Sequence, residues 1–296
     1  MKGAPEIVPA MTESTPIPCF VINLADARGR LAHMTRVLAA AGIPFERIEA
    51  VKAVDVVRHP GFERIPPLAV GRPWANAELA CLLSHFEAWS RIVARAEPFA
   101  AVFEDDLHID PRLHEVLAAP EELPATADII KLETVNIPVW VARGAIQGPA
   151  GVRFARLRSN HYGGGAYVIG RSAAKRLLTM AGLFDLPMDD AVFSPGHPVG
   201  RQLRSYQVIP ALAVQDVILP AARRSAGLGS TIEAEREIAR SHETAPLQAT
   251  VAPNRNRLLP LHTLPQRLVR AVWRNARCRL MRAPYADPAI RLSPDA

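Results

Sequence analysis

The chain has 296 residues, of which 49% are hydrophobic and 22% charged, and its formal net charge is +6. This length is enough for a sizeable core, in one large domain or two small ones. No apolar run approaches the roughly 20 residues of a membrane-spanning helix. The three cysteines, Cys19, Cys81 and Cys278, show neither a disulfide framework nor zinc-ligand spacing, so we expect a protein of the reducing cytoplasm.

The positive charge is concentrated at the end of the chain. From residue 255 onward there are nine Arg, two Asp and no Lys or Glu, a sum of +7, which leaves about −1 for the rest. A nearly neutral body argues against a nucleic-acid-binding protein that would use the arginine-rich tail. Residues 1–16 have one Lys and no apolar core, so we expect a flexible leader and not a secretory signal.

Apolar runs that alternate with helical patterns predict an α/β fold with a mostly parallel central sheet. The predicted strands lie at 17–24, 45–51, 99–103, 127–133, 166–170 and 205–210, and the predicted helices at 29–42, 77–98 and 172–182. Residues 56–76 contain four Pro and two Gly and are predicted to be a loop. In such folds, ligands bind beyond the carboxyl ends of the strands.

One predicted strand, residues 99–103, runs directly into Glu104, Asp105 and Asp106. Adjacent carboxylates repel one another, so either water solvates them or a cation lies among them. Mg²⁺ and Mn²⁺ prefer carboxylate oxygens, and the metal could bridge a nucleotide diphosphate. In the alternative, Asp105 or Asp106 caps a following helix and Glu104 is solvated.

Three further features each allow two interpretations. Asp189 and Asp190 are either a general base for an acceptor hydroxyl or acids in the first turn of a helix. The three glycines at 163–165 either let the backbone approach a ligand closely or form a bulge. His85 is either a satisfied packing residue or, with Ser84, a contact to a diphosphate or sugar.

Taken in order, these segments resemble glycosyltransferase family 25, the lipopolysaccharide and lipooligosaccharide glycosyltransferases. The resemblance covers about residues 17–216. It rests on a strand ending Ile-Asn-Leu, a helix with Ser-His before a strand ending Glu-Asp-Asp, and the later blocks "DIIKLE", "GGGAYVIGRSAAKRLL" and "PMDDAVF". We place no counterpart for residues 134–160. The resemblance implies a GT-A-like nucleotide-sugar-binding fold, inverting transfer and a divalent metal at the acidic motif.

The resemblance also assigns candidate roles by position. Glu104 and Asp106 would flank the metal and the nucleotide sugar, with Asp105 between them. Asp190 is the first candidate for the catalytic base and Asp189 the second. The other residues placed near the donor are Asn23, Arg28, Arg30, Ser84, His85 and Lys131.

The expected reaction moves a hexose, either galactose or glucose, from a nucleotide sugar such as UDP-galactose. The acceptor would be a saccharide on a lipid carrier or on lipopolysaccharide, and the metal Mn²⁺ or Mg²⁺. The alternative is a non-catalytic glycan- or nucleotide-sugar-binding protein with the same fold. Hydrolysis of a nucleotide sugar without acceptor separates the two.

We expect three regions: the leader (1–16), a glycosyltransferase domain (17–250) and a basic tail (251–296). Within the tail, residues 264–282 place leucines and arginines on separate faces of a predicted amphipathic helix. Such a helix suits an anionic membrane surface, which predicts a peripheral protein on the inner face of the cytoplasmic membrane. Alternatively, the helix docks its apolar face on the domain.

Overall fold

The computed structural model describes residues 16–69, 71–225 and Leu228. Nearly all of the predicted leader and the whole basic tail, with its predicted helix at 264–282, lie outside the described residues, and the predicted domain limits stay predictions. No helix in the described ranges has both the length and the apolar character needed to cross a membrane.

Strands and helices alternate along much of the described chain. The strands are β1 Cys19–Asn23, β2 Glu46–Glu49, β3 Phe99–Phe103, β4 Leu107–Ile109, β5 Ile129–Lys131, β6 Glu133–Thr134, β7 Ile146–Gln147, β8 Arg153–Arg156, β9 Ala166–Gly170, β10 Ser205–Ile209 and β11 Ala213–Gln215. The α-helices are α1 Arg28–Ala40, α2 Asn76–Val93, α3 Leu113–Ala118, α4 Arg171–Thr179, α5 Met188–Val192 and α6 Pro198–Arg201.

The central sheet has eight strands in the order β2-β1-β3-β9-β5-β10-β8-β7. Strands β8 and β9 run against the other six, so the sheet is mixed, although most strands point the same way as predicted. Strand β9 lies antiparallel between β3 and β5, and β8 lies antiparallel between β10 and β7.

Helices cover both faces of this sheet. On one face, α2 and α4 bury a core that includes the large side chains of Phe86, Trp89 and Phe184. On the other face, α1 and α3 pack against the opposite sides of β1 and β3. The strands are therefore buried on both faces, which explains why β3 and β9 are continuous apolar runs.

This topology brings distant segments to one edge of the sheet. Strands β1 and β3 are parallel neighbours, so their carboxyl ends lie side by side. Strand β9 is antiparallel to β3 with Ala166 opposite Phe103, so the glycines that precede β9 arrive at the same edge. A three-stranded sheet, β4-β11-β6, continues from there and pairs Gln215 with Leu107.

Candidate active site

The acidic triplet lies in a turn between two strands. Strand β3 ends at Phe103 and β4 begins at Leu107, so no helix follows that Asp105 or Asp106 could cap, and that alternative is wrong. The side chains are not simply solvated either, because Asp105 and Asp106 are only 6% and 5% exposed. Burial of adjacent carboxylates requires specific partners nearby.

Asp105 is held by two residues that the sequence places near the nucleotide. Asn23 Nδ2 donates to Asp105 Oδ2 at 2.7 Å, and Arg30 Nη1 donates to Oδ1 at 2.8 Å. Arg47 in turn donates to Asn23 Oδ1 at 3.0 Å. Both oxygens of Asp105 are thus engaged by partners from β1 and α1, which fasten the turn to the end of the parallel strands.

Glu104 and Asp106 face a common partner that sequence reasoning missed. Gln215 Nε2 donates to Glu104 Oε2 at 2.8 Å and lies 3.4 Å from Asp106 Oδ1. Burial and then the nearby Asp105 charge raise the pKa of Glu104 to about 7. Burial and then Glu104 raise the pKa of Asp106 to about 8. Both shifts express the cost of placing two buried negative charges together.

One face of α2 closes the site. Cys81, Ser84 and His85 lie at spacings of three and four residues, so they share a side of the helix. Ser84 Oγ donates to Ala80 O at 2.6 Å and accepts from Val51 N at 2.9 Å, which ties α2 to the loop after β2.

His85 is a buried packing residue that also forms part of the wall of the site, and its contact with a diphosphate or sugar stays a prediction. It is 1% exposed, and burial lowers its pKa to about 3, which keeps the ring neutral. Trp89 Nε1 donates to the Tyr167 hydroxyl at 2.9 Å, and that hydroxyl lies 2.8 Å from His85 Nδ1. We assign the hydroxyl proton to Nδ1, which leaves the ring proton on Nε2, 3.4 Å from Glu104 Oε1.

Two adjacent cavities meet at Glu104. The first, of about 210 Å³, has a wall that contains most of the predicted donor residues. The residues in this wall that were predicted to lie near the donor or the metal are Asn23, Arg30, Ser84, His85, Glu104, Asp105 and Asp106. The second, of about 370 Å³, is lined by Asp189 and Asp190. Glu104, Cys81 and Gln215 line both cavities.

The second cavity joins the acidic pair to the glycines. Asp189 and Asp190 lie in the first turn of a short helix, α5, as one interpretation predicts, and they also line the cavity, while their role as a general base stays a prediction. Asp189 Oδ2 accepts from Gly163 N at 2.7 Å. A Cβ on Gly165 would lie 2.8 Å from Glu133 Oε2, so the glycine there permits close packing beneath the cavity.

Two predicted donor residues do not line either cavity. Arg28 is exposed at the start of α1. Lys131 is fully buried, with its ammonium 2.7 Å from Glu133 Oε1, bonded to Gly163 O and 4.0 Å from the centre of the Phe193 ring. In the described geometry, Lys131 holds the glycine segment in place through Gly163 O. Nothing in that geometry favours its contact with a diphosphate.

The residues around the triplet fit a divalent cation. Glu104 and Asp106 are two neighbouring carboxylates with raised pKa values, and carboxylate oxygens are ligands that Mg²⁺ and Mn²⁺ prefer. A second grouping, Cys81, His85 and Glu104, has ligand atoms within 4.8 Å of one another. Its thiol and imidazole suit a softer ion such as Zn²⁺.

Comparison with known proteins agrees with this geometry. A family model described as "Glycosyltransferase family 25 (LPS biosynthesis protein)" matches residues 17–192. The chain is 28% identical to the lacto-N-neotetraose biosynthesis glycosyltransferase LgtB of Neisseria gonorrhoeae over 91% of this chain and 96% of that protein. It is 30% identical to LgtE of Neisseria meningitidis serogroup B, also named a lacto-N-neotetraose biosynthesis glycosyltransferase, over 75% and 82% respectively.

A more distant relative comes from a vertebrate. Procollagen galactosyltransferase 1-A of Xenopus laevis is 29% identical over 65% of this chain and 35% of that longer protein. The family model covers more than half of the chain, and the bacterial relatives align over most of their own length. The chain therefore belongs to glycosyltransferase family 25.

Proposed function

We propose that this protein is an inverting, metal-dependent hexosyltransferase with a GT-A-like fold, acting in lipopolysaccharide or lipooligosaccharide synthesis. The observation that carries this proposal is the pair of cavities that meet at Glu104. A transfer between two substrates needs two binding spaces joined at the reacting atoms. The family description and the names of the bacterial relatives support a saccharide acceptor of this class.

The first cavity is the proposed donor site. Arg30 supplies a cation there, and Asn23 and Ser84 supply polar groups, which suits a nucleotide diphosphate. Glu104 and Asp106 would hold Mn²⁺ or Mg²⁺, which when bound neutralises negative charge on the departing diphosphate. The name of the vertebrate relative supports galactose as the hexose, with UDP-galactose as the donor.

The second cavity supplies the proposed base. The acceptor hydroxyl oxygen bonds to the anomeric carbon from the face opposite the nucleotide, the bond from that carbon to the diphosphate breaks, and a carboxylate takes the hydroxyl proton. Asp189 accepts from Gly163 N, so it also positions the glycine segment. Asp190 is the first candidate for the base and Asp189 the second.

An activity assay with UDP-[¹⁴C]galactose, Mn²⁺ and de-acylated lipooligosaccharide tests this function. Loss of the base in Asp190→Asn should lower kcat by on the order of a thousandfold. Glu115→Gln, which neutralises an exposed acid on α3, is the matched control and should keep normal activity. NMR of the product should show an anomeric configuration opposite to that of the donor.

Two results would contradict this assignment. Near-normal turnover by Asp190→Asn would remove Asp190 as the base, and a product that retains the donor configuration would remove the inverting mechanism. Nucleotide-sugar binding with neither transfer nor hydrolysis would favour the non-catalytic alternative.

The basic tail is proposed to hold the enzyme on the inner face of the cytoplasmic membrane. Its nine arginines from residue 255 onward suit an anionic lipid surface, where each basic residue contributes about 1 kcal/mol. Deletion of residues 255–296 should therefore abolish co-sedimentation with vesicles of phosphatidylglycerol, and high salt should weaken binding of the full chain. Equal co-sedimentation with and without the tail would reject this role.

A further inference from the structure

The walls of the second cavity differ in chemistry from those of the first. Its lining includes four acids, Glu78, Glu104, Asp189 and Asp190, of which Glu78 is paired with Arg72, and the described wall itself contains no Lys, Arg or His. The first cavity also has carboxylates in its wall, Glu104, Asp105 and Asp106, but it contains the cation Arg30. A phosphate group would be repelled from the second cavity, whereas a neutral molecule with several hydroxyl donors would find acceptors on its acidic side.

The rim of the second cavity is apolar and accessible. Tyr162 and Ile137 are 48% and 53% exposed, among the large apolar side chains that the described residues leave open, and both line this cavity. Val135 and Val217 lie in the same wall. An apolar rim above acidic groups matches a sugar ring, which presents C–H groups on its faces and hydroxyl groups at its edges.

The backbone around Tyr162 is fixed although its ring is open. His161 is buried, burial lowers its pKa to about 3, and its Nδ1 lies 2.6 Å from Tyr162 O. On the other side, Gly163 N donates to Asp189 Oδ2 at 2.7 Å, and Gly163 O accepts from Lys131 Nζ. An exposed aromatic ring on a fixed backbone loses little conformational entropy when a ligand covers it.

We infer that the second cavity binds the acceptor as a neutral saccharide, and that Tyr162 is the platform on which the acceptor sugar ring lies. This inference rests on the proposed function, since it assigns the acceptor of that reaction to one cavity. Because Asp189 binds the residue next to Tyr162, the same hydrogen bond sets the platform beside the acidic pair. Ile137 would contribute a second apolar contact at the rim.

Saturation-transfer NMR tests the site without requiring turnover. The probes are the methyl β-glycosides of glucose, galactose and N-acetylglucosamine, each added to the full chain with UDP and Mn²⁺. The wild-type protein should saturate the ring C–H protons of at least one glycoside. Tyr162→Ala should weaken its binding about tenfold, and Tyr162→Phe and Tyr162→Trp should restore it to within about threefold. Ile137→Ala should give a smaller loss.

The controls separate this inference from the function on which it rests. Ile146 is an exposed isoleucine like Ile137, but it lies in β7 at the sheet edge and is not among the described residues that line either cavity. Ile146→Ala should therefore leave glycoside binding unchanged. UDP affinity of Tyr162→Ala should stay within about twofold, since its first cavity is intact. Absence of UDP binding and of sugar transfer by the wild type would contradict the proposed function, not the glycoside site.

Two outcomes would overturn the inference itself. One is unchanged glycoside binding in Tyr162→Ala. The other is the absence of saturation from all three glycosides with wild-type protein. Where transfer is measurable, Tyr162→Ala and Ile137→Ala should raise the acceptor KM and leave the donor KM near its wild-type value.

Discussion

At the scale of single residues, the buried carboxylates of the acidic turn lower the stability of the folded protein. Glu104 and Asp106 are close enough to share the Gln215 amide, and burial and then neighbouring carboxylates raise their pKa values to about 7 and about 8. Groups that no fold would bury for stability alone mark functional sites. A bound cation would reverse this balance, because it favours the ionised carboxylates.

Removing one of these carboxylates should therefore stabilise the metal-free protein. The raised pKa means that the folded state binds the Asp106 proton more tightly than the unfolded state, whose Asp pKa is about 3.9. Wild-type stability then falls as pH rises from about 4 to about 8 and levels off above. Asp106→Asn should escape this loss and gain on the order of 1–3 kcal/mol at about pH 8.5, with no gain near pH 4.

Urea unfolding at several pH values in EDTA measures this effect. Glu115→Gln is again the control, because that carboxylate is exposed, and its effect should stay within about 0.5 kcal/mol. An Asp106→Asn protein that is less stable than wild type at high pH would contradict the account of a strained, buried pair.

The site residues show how far sequence patterns reach. Glu104 to Asp106 were predictable because three carboxylates after an apolar strand violate the usual burial pattern. Gln215 carries no such signal, since a single Gln after a short strand is ordinary, and only the pairing of β11 with β4 brings it to the triplet. The strand of Lys131 was predictable, but its burial and its ion pair with Glu133 carry no sequence signal, and its contact with a diphosphate stays a prediction.

At the scale of elements, the glycine segment connects the two halves of the site. Gly163 N donates to Asp189, Glu104 N donates to Gly165 O at 2.7 Å, and Glu133 Oε1 accepts from Gly165 N at 2.7 Å. The segment thus contacts the acidic pair on one side and the acidic turn on the other. A displacement here should disturb both.

Gly163→Ala tests this connection, with Gly144→Ala as a matched control. Both glycines have a positive φ, +81° and +78°, so each substitution should cost about 1 kcal/mol of backbone strain. A Cβ at Gly163 would also lie 3.1 Å from Glu133 Oε1 and 3.2 Å from Val135 Cγ1, whereas a Cβ at Gly144 meets nothing within 4 Å.

We therefore expect both variants to lose stability in urea unfolding, Gly163→Ala at least as much as Gly144→Ala, and their enzyme kinetics to differ. Gly163→Ala should lower kcat/KM for the acceptor about tenfold or more, and Gly144→Ala should leave it near the wild-type value. Equal activity of the two variants would show that the glycine segment has no role in positioning the site.

The long, strongly patterned elements were predictable, and the short ones were not. Strands β3 and β9 coincide with their predicted limits, and α2 begins one residue before its predicted start. The strands β4 and β11 have three residues each, too few for a pattern to emerge. Residues 134–160 were unassigned. They contain β7 and β8 at the edge of the sheet, where strands are less buried and their apolar pattern is therefore weaker.

At the scale of the whole molecule, the fold separates two chemistries at one sheet edge. Parallel strands β1 and β3 bring Asn23 and the acidic turn to a cavity that contains Arg30, while antiparallel β9 brings the glycines to a cavity lined by acids. The glycines reach this edge because β9 runs against its neighbours, a feature that the prediction of a mostly parallel sheet did not contain.

The central claim is that the acidic turn holds a nucleotide diphosphate through a divalent metal. Calorimetric titration of UDP tests it most directly, with Mn²⁺ or with EDTA, on the wild type, Asp106→Asn and Glu115→Gln. The account predicts binding by the wild type and by Glu115→Gln with Mn²⁺, weakened at least about a hundredfold in EDTA and in Asp106→Asn. UDP binding that is unchanged by EDTA and by Asp106→Asn, or no UDP binding at all, would contradict it.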